Sequence, residues 1–127
     1  GATQIGRVIH HALNTHSASL PVRAVVLVGD ACEEPAAALA SLAGQCAIKQ
    51  MPLFLFQEGY DAQTRRTFER LAQLSHGAYA PFDASSAEQL RALLAAVGRF
   101  AQGGIQALRQ SNTQGDQALL CQLEKTP

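Results

Sequence analysis

The sequence predicts an α/β fold, a three-layer α/β/α Rossmann-like parallel sheet that is incomplete, with about three parallel strands and flanking helices. Two observations predict it. The runs Ala24-Val25-Val26-Leu27-Val28, Leu53-Phe54-Leu55-Phe56-Gln57 and Ala78-Tyr79-Ala80-Pro81-Phe82 are almost continuously apolar rather than alternating, as strands covered on both faces are. The segments between them carry apolar residues at helical spacing, so each strand is followed by a crossover helix. At 127 residues, 47% apolar and 16% charged, the chain has the composition of a compact domain with an ordinary core.

A first helix from about Thr3 to His16 places Ile5, Val8, Ile9, Ala12 and Leu13 on one face, with the hydroxyl of Thr3 at its start. The first strand ends in Gly29-Asp30, and Ala31-Cys32-Glu33-Glu34-Pro35 turns into a helix to Lys49 that buries Leu39, Leu42, Ala43 and Cys46. Asp30 is thereby delivered to the carboxyl end of a parallel sheet, where such folds bind their ligands. After the second strand, Asp61 caps a helix running to Ser75, and His76-Gly77 reads as its left-handed stop. Ser85 and Glu88 have the spacing of a capping box for a helix that carries Leu90, Leu93, Leu94, Val97 and Ala101 and stops at Gly103-Gly104. Ser111 to Asp116 reads as a loop, and Leu119, Leu120 and Leu123 as a short helix that packs loosely or frays.

Ten basic residues balance ten acidic ones, and with no basic run there is no electrostatic footprint for nucleic acid or anionic lipid. No apolar stretch approaches the roughly 20 residues that span a bilayer. Cys32, Cys46 and Cys121 are odd in number and widely spaced, which argues against a disulfide framework or a zinc knuckle and for a reducing, cytoplasmic setting. His10, His11, His16 and His76 have no partner at ligand spacing, and Ser17, Ser75, Ser85 and Ser86 lie in no nucleophile elbow. No enzymatic activity is expected on these grounds.

The pattern Gly1-x-Thr3 before a helix, the strand ending in Gly29-Asp30, the strand from Pro52 to Gln57, and Leu74-Ser75-His76-Gly77-Ala78-Tyr79 followed by Ser86-x-x-x-Leu90 resembles the second half of a von Willebrand factor A domain. The stretches Thr3-Gln4-Ile5-Gly6-Arg7, Phe54 to Gly59 and Phe82 to Ala87 are similar to those of bacterial, intracellular proteins of this type. The resemblance spans residues 1–104, leaving 105–127 as a C-terminal loop and short helix. It implies a protein-interaction module in which a metal-ion-dependent adhesion site holds Mg²⁺ or Mn²⁺ and a partner's carboxylate completes the coordination. Thr3 matches the family's threonine ligand and Asp30 its aspartate after the fourth strand, which reaches the metal through water. Read from the sequence itself, Glu33 and Glu34 with Gly29 extend a partner-binding rim around Asp30, or the two Glu beside Pro35 compensate a helix dipole.

The family's first strand, with its Asp-x-Ser-x-Ser loop, is not found in this sequence. A divalent ion held by Thr3 and Asp30 alone would therefore be held weakly or not at all. The same two residues also read as a helix N-cap and a loop carboxylate. Two alternatives follow: a degenerate, metal-free scaffold for assembly, or a fragment of a doubly wound α/β hydrolase or transferase that uses Asp30. The partner is expected to be a protein, neither nucleic acid nor membrane. A sheet of so few strands is expected to be completed by another chain, as in a homo-oligomer, or to have the edge of strand 24–28 covered by the segment after Gly104.

Overall fold

A computed structural model describes residues 4–124. Its elements are α1 (Ile5–Thr15), β1 (Val25–Gly29), α2 (Ala36–Ile48), β2 (Leu53–Glu58), α3 (Ala62–Leu74), β3 (Ala78–Phe82), α4 (Ala87–Ser111) and α5 (Gln114–Leu123). The strands form one parallel sheet in the order β1-β2-β3, with Val25 opposite Leu53 and Phe54 opposite Ala78. The incomplete Rossmann-like α/β architecture expected from the apolar runs is the one observed.

Central β2 decides the layering. Leu53 and Leu55 face a core made with Ile5, Ile9, Leu39, Leu42, Cys46, Phe68 and Leu71 from α1, α2 and α3. Phe54 and Phe56 face the opposite way, into a second core with Leu93, Val97, Leu108, Leu119 and Leu123 from α4 and α5. The two crossovers, α2 and α3, lie on the same face, as right-handed connections require when strand order follows chain order. Gln57, fully buried, accepts the Tyr79 hydroxyl at 2.6 Å and donates to the Asp61 carbonyl at 3.0 Å, which ties β2, β3 and the start of α3 together.

Helix ends follow the sequence in some places and not in others. The Asp61 side chain accepts the Thr64 N–H at 2.9 Å, as an N-cap should. At the other end of α3 the left-handed residue is His76 (φ 63°), not Gly77. Gly77 is needed for closeness instead, because a Cβ there would lie 1.9 Å from the Leu53 carbonyl oxygen. The Ser85/Glu88 capping box does not form. Ser86 is the N-cap of α4 without a side-chain bond, while Ser85 turns back to Asp83 (2.8 Å) and Glu88 pairs with Arg91.

The expectation for the C-terminal segment needs the largest correction. Gly104 (φ 67°, ψ −160°) breaks α4 without ending it, and helix continues to Ser111. The supposed loop contains a capping box at Thr113 and Asp116, and α5 packs firmly, with Leu119 fully buried. Buried Asp116 also pairs with Arg99 at 2.8 Å, and Gly115 lies so close to α4 that a Cβ would sit 2.4 Å from the Ala92 carbonyl oxygen. This segment covers the edge of β3 rather than that of β1. Gln122 accepts the Tyr79 N–H at 2.7 Å and donates its amide to the Tyr79 carbonyl, making both bonds that a fourth strand would make.

Candidate carboxyl-edge site

Each strand of this sheet releases an acid at its carboxyl end: Asp30 after β1, Glu58 closing β2, and Asp83 after β3, all exposed. Sequence analysis singled out only Asp30. The alternation of strand and helix that placed it carries the same signal for the other two. Asp83 is committed locally. Its carboxylate accepts the Ser85 N–H (2.9 Å) and hydroxyl (2.8 Å), and these bonds hold its carboxyl below the usual range. Asp61, on the loop after β2, is held low in the same way by the hydroxyl and N–H of Thr64. Asp30, Glu33 and Glu58 keep their carboxylates free of hydrogen bonds and ion pairs to other described residues.

Glu34 is placed differently from its neighbours. Its carboxylate spans the start of α1, accepting the N–H of Ile5 through Oε1 and that of Gly6 through Oε2, the latter at 2.9 Å. These two donors belong to the first turn, which has no intrahelical acceptors, so the carboxylate satisfies them and meets the positive end of the helix dipole. Gln4, the N-cap by position, makes no side-chain cap bond. Gly6 is what lets Glu34 approach, since a Cβ there would lie 2.8 Å from Oε2. The loop is anchored a second time at half-buried Cys32, which packs on the first core. Burial pushes the Cys32 thiol up, partly offset by a hydrogen bond from the Glu34 N–H.

Comparison with family models, with curated proteins and with solved structures finds no match to this chain. The resemblance to von Willebrand factor A domains therefore stands on the residues quoted for it.

The structure brings Asp30, Glu33 and Glu34 together on the loop that follows Gly29, the last residue of β1, and sets that loop against the first turn of α1. Thr3 lies outside the described residues. Mg²⁺ demands a near-octahedral set of oxygens, and among the described residues no three His, Cys, Asp or Glu side chains gather as ligands. With both Glu34 oxygens taken by backbone N–H groups, the described side chains do not fit a resident divalent ion. No helix among the described residues is long and apolar enough to cross a membrane.

At the other end of the sheet is a cavity of about 560 Å³, lined by His16, Arg23, Lys49, Gln50 and Phe100 among others. Lys49 is the C-cap of α2, where its ammonium meets the negative end of the helix dipole, and His16 is the C-cap of α1. His16 Nδ1 also accepts the Val22 N–H at 3.0 Å, so its ring closes the turn into β1.

Proposed function

We propose that this chain is a protein-interaction module that resembles a von Willebrand factor A domain and contacts its partner through the carboxyl edge around Asp30 and Glu33. The observation that carries this reading is the pair of unengaged acids, Asp30 and Glu33, on a loop held against α1 at the end of the sheet where α/β folds bind. Rigid loops at such an edge position groups for recognition at small entropic cost. In the resembling family a divalent ion bridges this edge to a partner carboxylate. Here that role requires oxygen donors beyond the described side chains, so the chain by itself is expected to hold Mg²⁺ no more tightly than millimolar. Isothermal calorimetry giving micromolar affinity, equivalent to about 8 kcal/mol, would contradict this.

The metal-free reading, a scaffold for assembly, is favoured by one specific observation: the Glu34 carboxylate is spent on α1. Site-specific photo-crosslinking tests both readings in the organism's own extract. A photoreactive residue at position 33 is expected to capture a protein partner that the same probe at exposed position 70 on α3 does not. Capture that survives EDTA assigns the metal-free mode, and capture restored only by Mg²⁺ or Mn²⁺ assigns the metal-dependent one. Equal capture from both positions, or none from position 33, removes the carboxyl edge as the contact surface.

A further inference from the structure

A loop at the carboxyl end of a parallel sheet is held at least by the strand it leaves and the helix it enters. The loop from Asp30 to Pro35 is held at two additional points. The Cys32 side chain is seated on the first core, and Glu34 reaches across to an element 28 residues away in sequence, binding two successive N–H groups of α1. Both partners of that contact are shaped for it. Glu34 satisfies donors that no helical carbonyl can reach, and the residue beneath its second oxygen is Gly6, where a side chain would collide. Glu33, one residue earlier, is exposed and makes no such contact.

We propose that Glu34 is the positioning residue of the carboxyl edge: its two-oxygen grip on α1 fixes the Asp30 loop in one conformation and so presents Asp30 and Glu33 as a preformed pair. This rests on the reading of that edge as the contact surface. It gives Glu34 a role opposite to that of a rim residue. The carboxylate faces inward and organises the rim instead of meeting the partner. Binding then avoids part of the cost of ordering a loop, which is how preorganisation raises affinity without a new contact.

The test needs no partner. The N–H groups of Ile5 and Gly6 have no intrahelical acceptor, and among the described residues their hydrogen-bond acceptor is Glu34, so their exchange reports on that contact. In the full chain labelled with ¹⁵N, Glu34→Ala is expected to speed exchange at Ile5 and Gly6 by about tenfold, the factor that corresponds to one lost hydrogen bond. It should also raise backbone mobility at residues 29–33 while leaving the amides of β2 unchanged. Glu34→Gln, which retains one acceptor oxygen, should restore order to the loop and protection to one of the two amides. If Glu34→Ala unfolds the chain, Gly6→Ala pushes on the same contact from the helix side and should mobilise the same loop. Faster exchange at Ile5 and Gly6 with residues 29–33 as rigid as before would make Glu34 a helix cap only and overturn the proposal. Failure of the crosslinking experiment would leave this result standing, so the two readings fall separately.

Discussion

At single residues, His76 and Gly77 divide between them a task that sequence alone assigned to the pair. Helix α3 ends with the Gly77 N–H bonded to the Ala72 carbonyl (2.8 Å) and the His76 N–H to that of Gln73 (3.3 Å), the double bond pattern of a Schellman ending. In that motif the left-handed position is usually glycine, yet here it holds exposed His76 at φ 63°. The following glycine is reserved for contact with β2. His76→Gly should therefore stabilise the protein by up to about 1 kcal/mol, relief of the left-handed strain being partly cancelled by the greater freedom of glycine in the unfolded chain. Gly77→Ala should cost about 3 kcal/mol, the upper part of the range for overpacking, because the neighbour is backbone and cannot rotate away. Urea denaturation of both variants measures the difference. The sequence could show that a turn was needed here. Which residue met the sheet depended on β2, which is more than twenty positions away.

At the scale of elements, the α4–α5 hairpin was the least legible part of the chain. A glycine pair normally ends a helix, and Ser111-Asn112-Thr113 normally starts a loop. Here the stop at Gly104 is overridden by burial of Leu108 on the far side of the break. The capping box that sequence spacing assigned to Ser85 and Glu88 is realised by Thr113 and Asp116, whose spacing is the same. Asp116 makes this hairpin pH-sensitive. Burial raises its carboxyl pKa, but bonds from the Thr113 N–H, Arg99, Ser111 and the Thr113 hydroxyl outweigh that and hold it below its ordinary value. A carboxyl depressed in the folded state adds stability that is complete above its unfolded pKa of about 3.9 and disappears as pH falls through the folded value. Stability of the wild type should thus fall more steeply below about pH 4 than that of Asp116→Asn, which cannot titrate there. At neutral pH the variant should be weaker by about 1.5–3 kcal/mol, the range for hydrogen bonds to a charged group. Gln122 is the second test of this element. Gln122→Ala removes both bonds to the Tyr79 backbone and should cost about 1–3 kcal/mol while exposing the outer edge of β3. Chemical denaturation reads the first effect and hydrogen exchange at Tyr79 the second.

For the molecule as a whole, the two edges of the sheet are treated unequally, and the expectation that another chain completes it is tested at β1. The outer edge of β3 is capped at Tyr79 by Gln122, whereas β1 pairs only with β2 among the described strands. The register fixes which groups of β1 point outward. The Val25 N–H bonds to the Pro52 carbonyl (3.1 Å), so the alternation of a parallel ladder directs the N–H and C=O of the next residue, Val26, away from β2. Val26 is also half-buried, an apolar side chain on a strand that carries neither the charge nor the proline that commonly guards a sheet edge. The parallel, doubly covered sheet was legible because its strands are continuous apolar runs. Which edge the C-terminal segment would cover was not, because that depended on Gln122 reaching Tyr79 across 43 positions. If a second chain pairs with β1, the protein should sediment as a dimer or larger species that grows with concentration. Val26→Pro should abolish that association and leave the fold intact, since the N–H it removes makes no bond to β2 and proline is tolerated on edge strands. Sedimentation velocity on both proteins, with circular dichroism to confirm that the variant is folded, decides the matter. A wild type that stays monomeric up to millimolar concentration would show that the β1 edge does not recruit a second copy, and association that persists in folded Val26→Pro would move the contact to another surface.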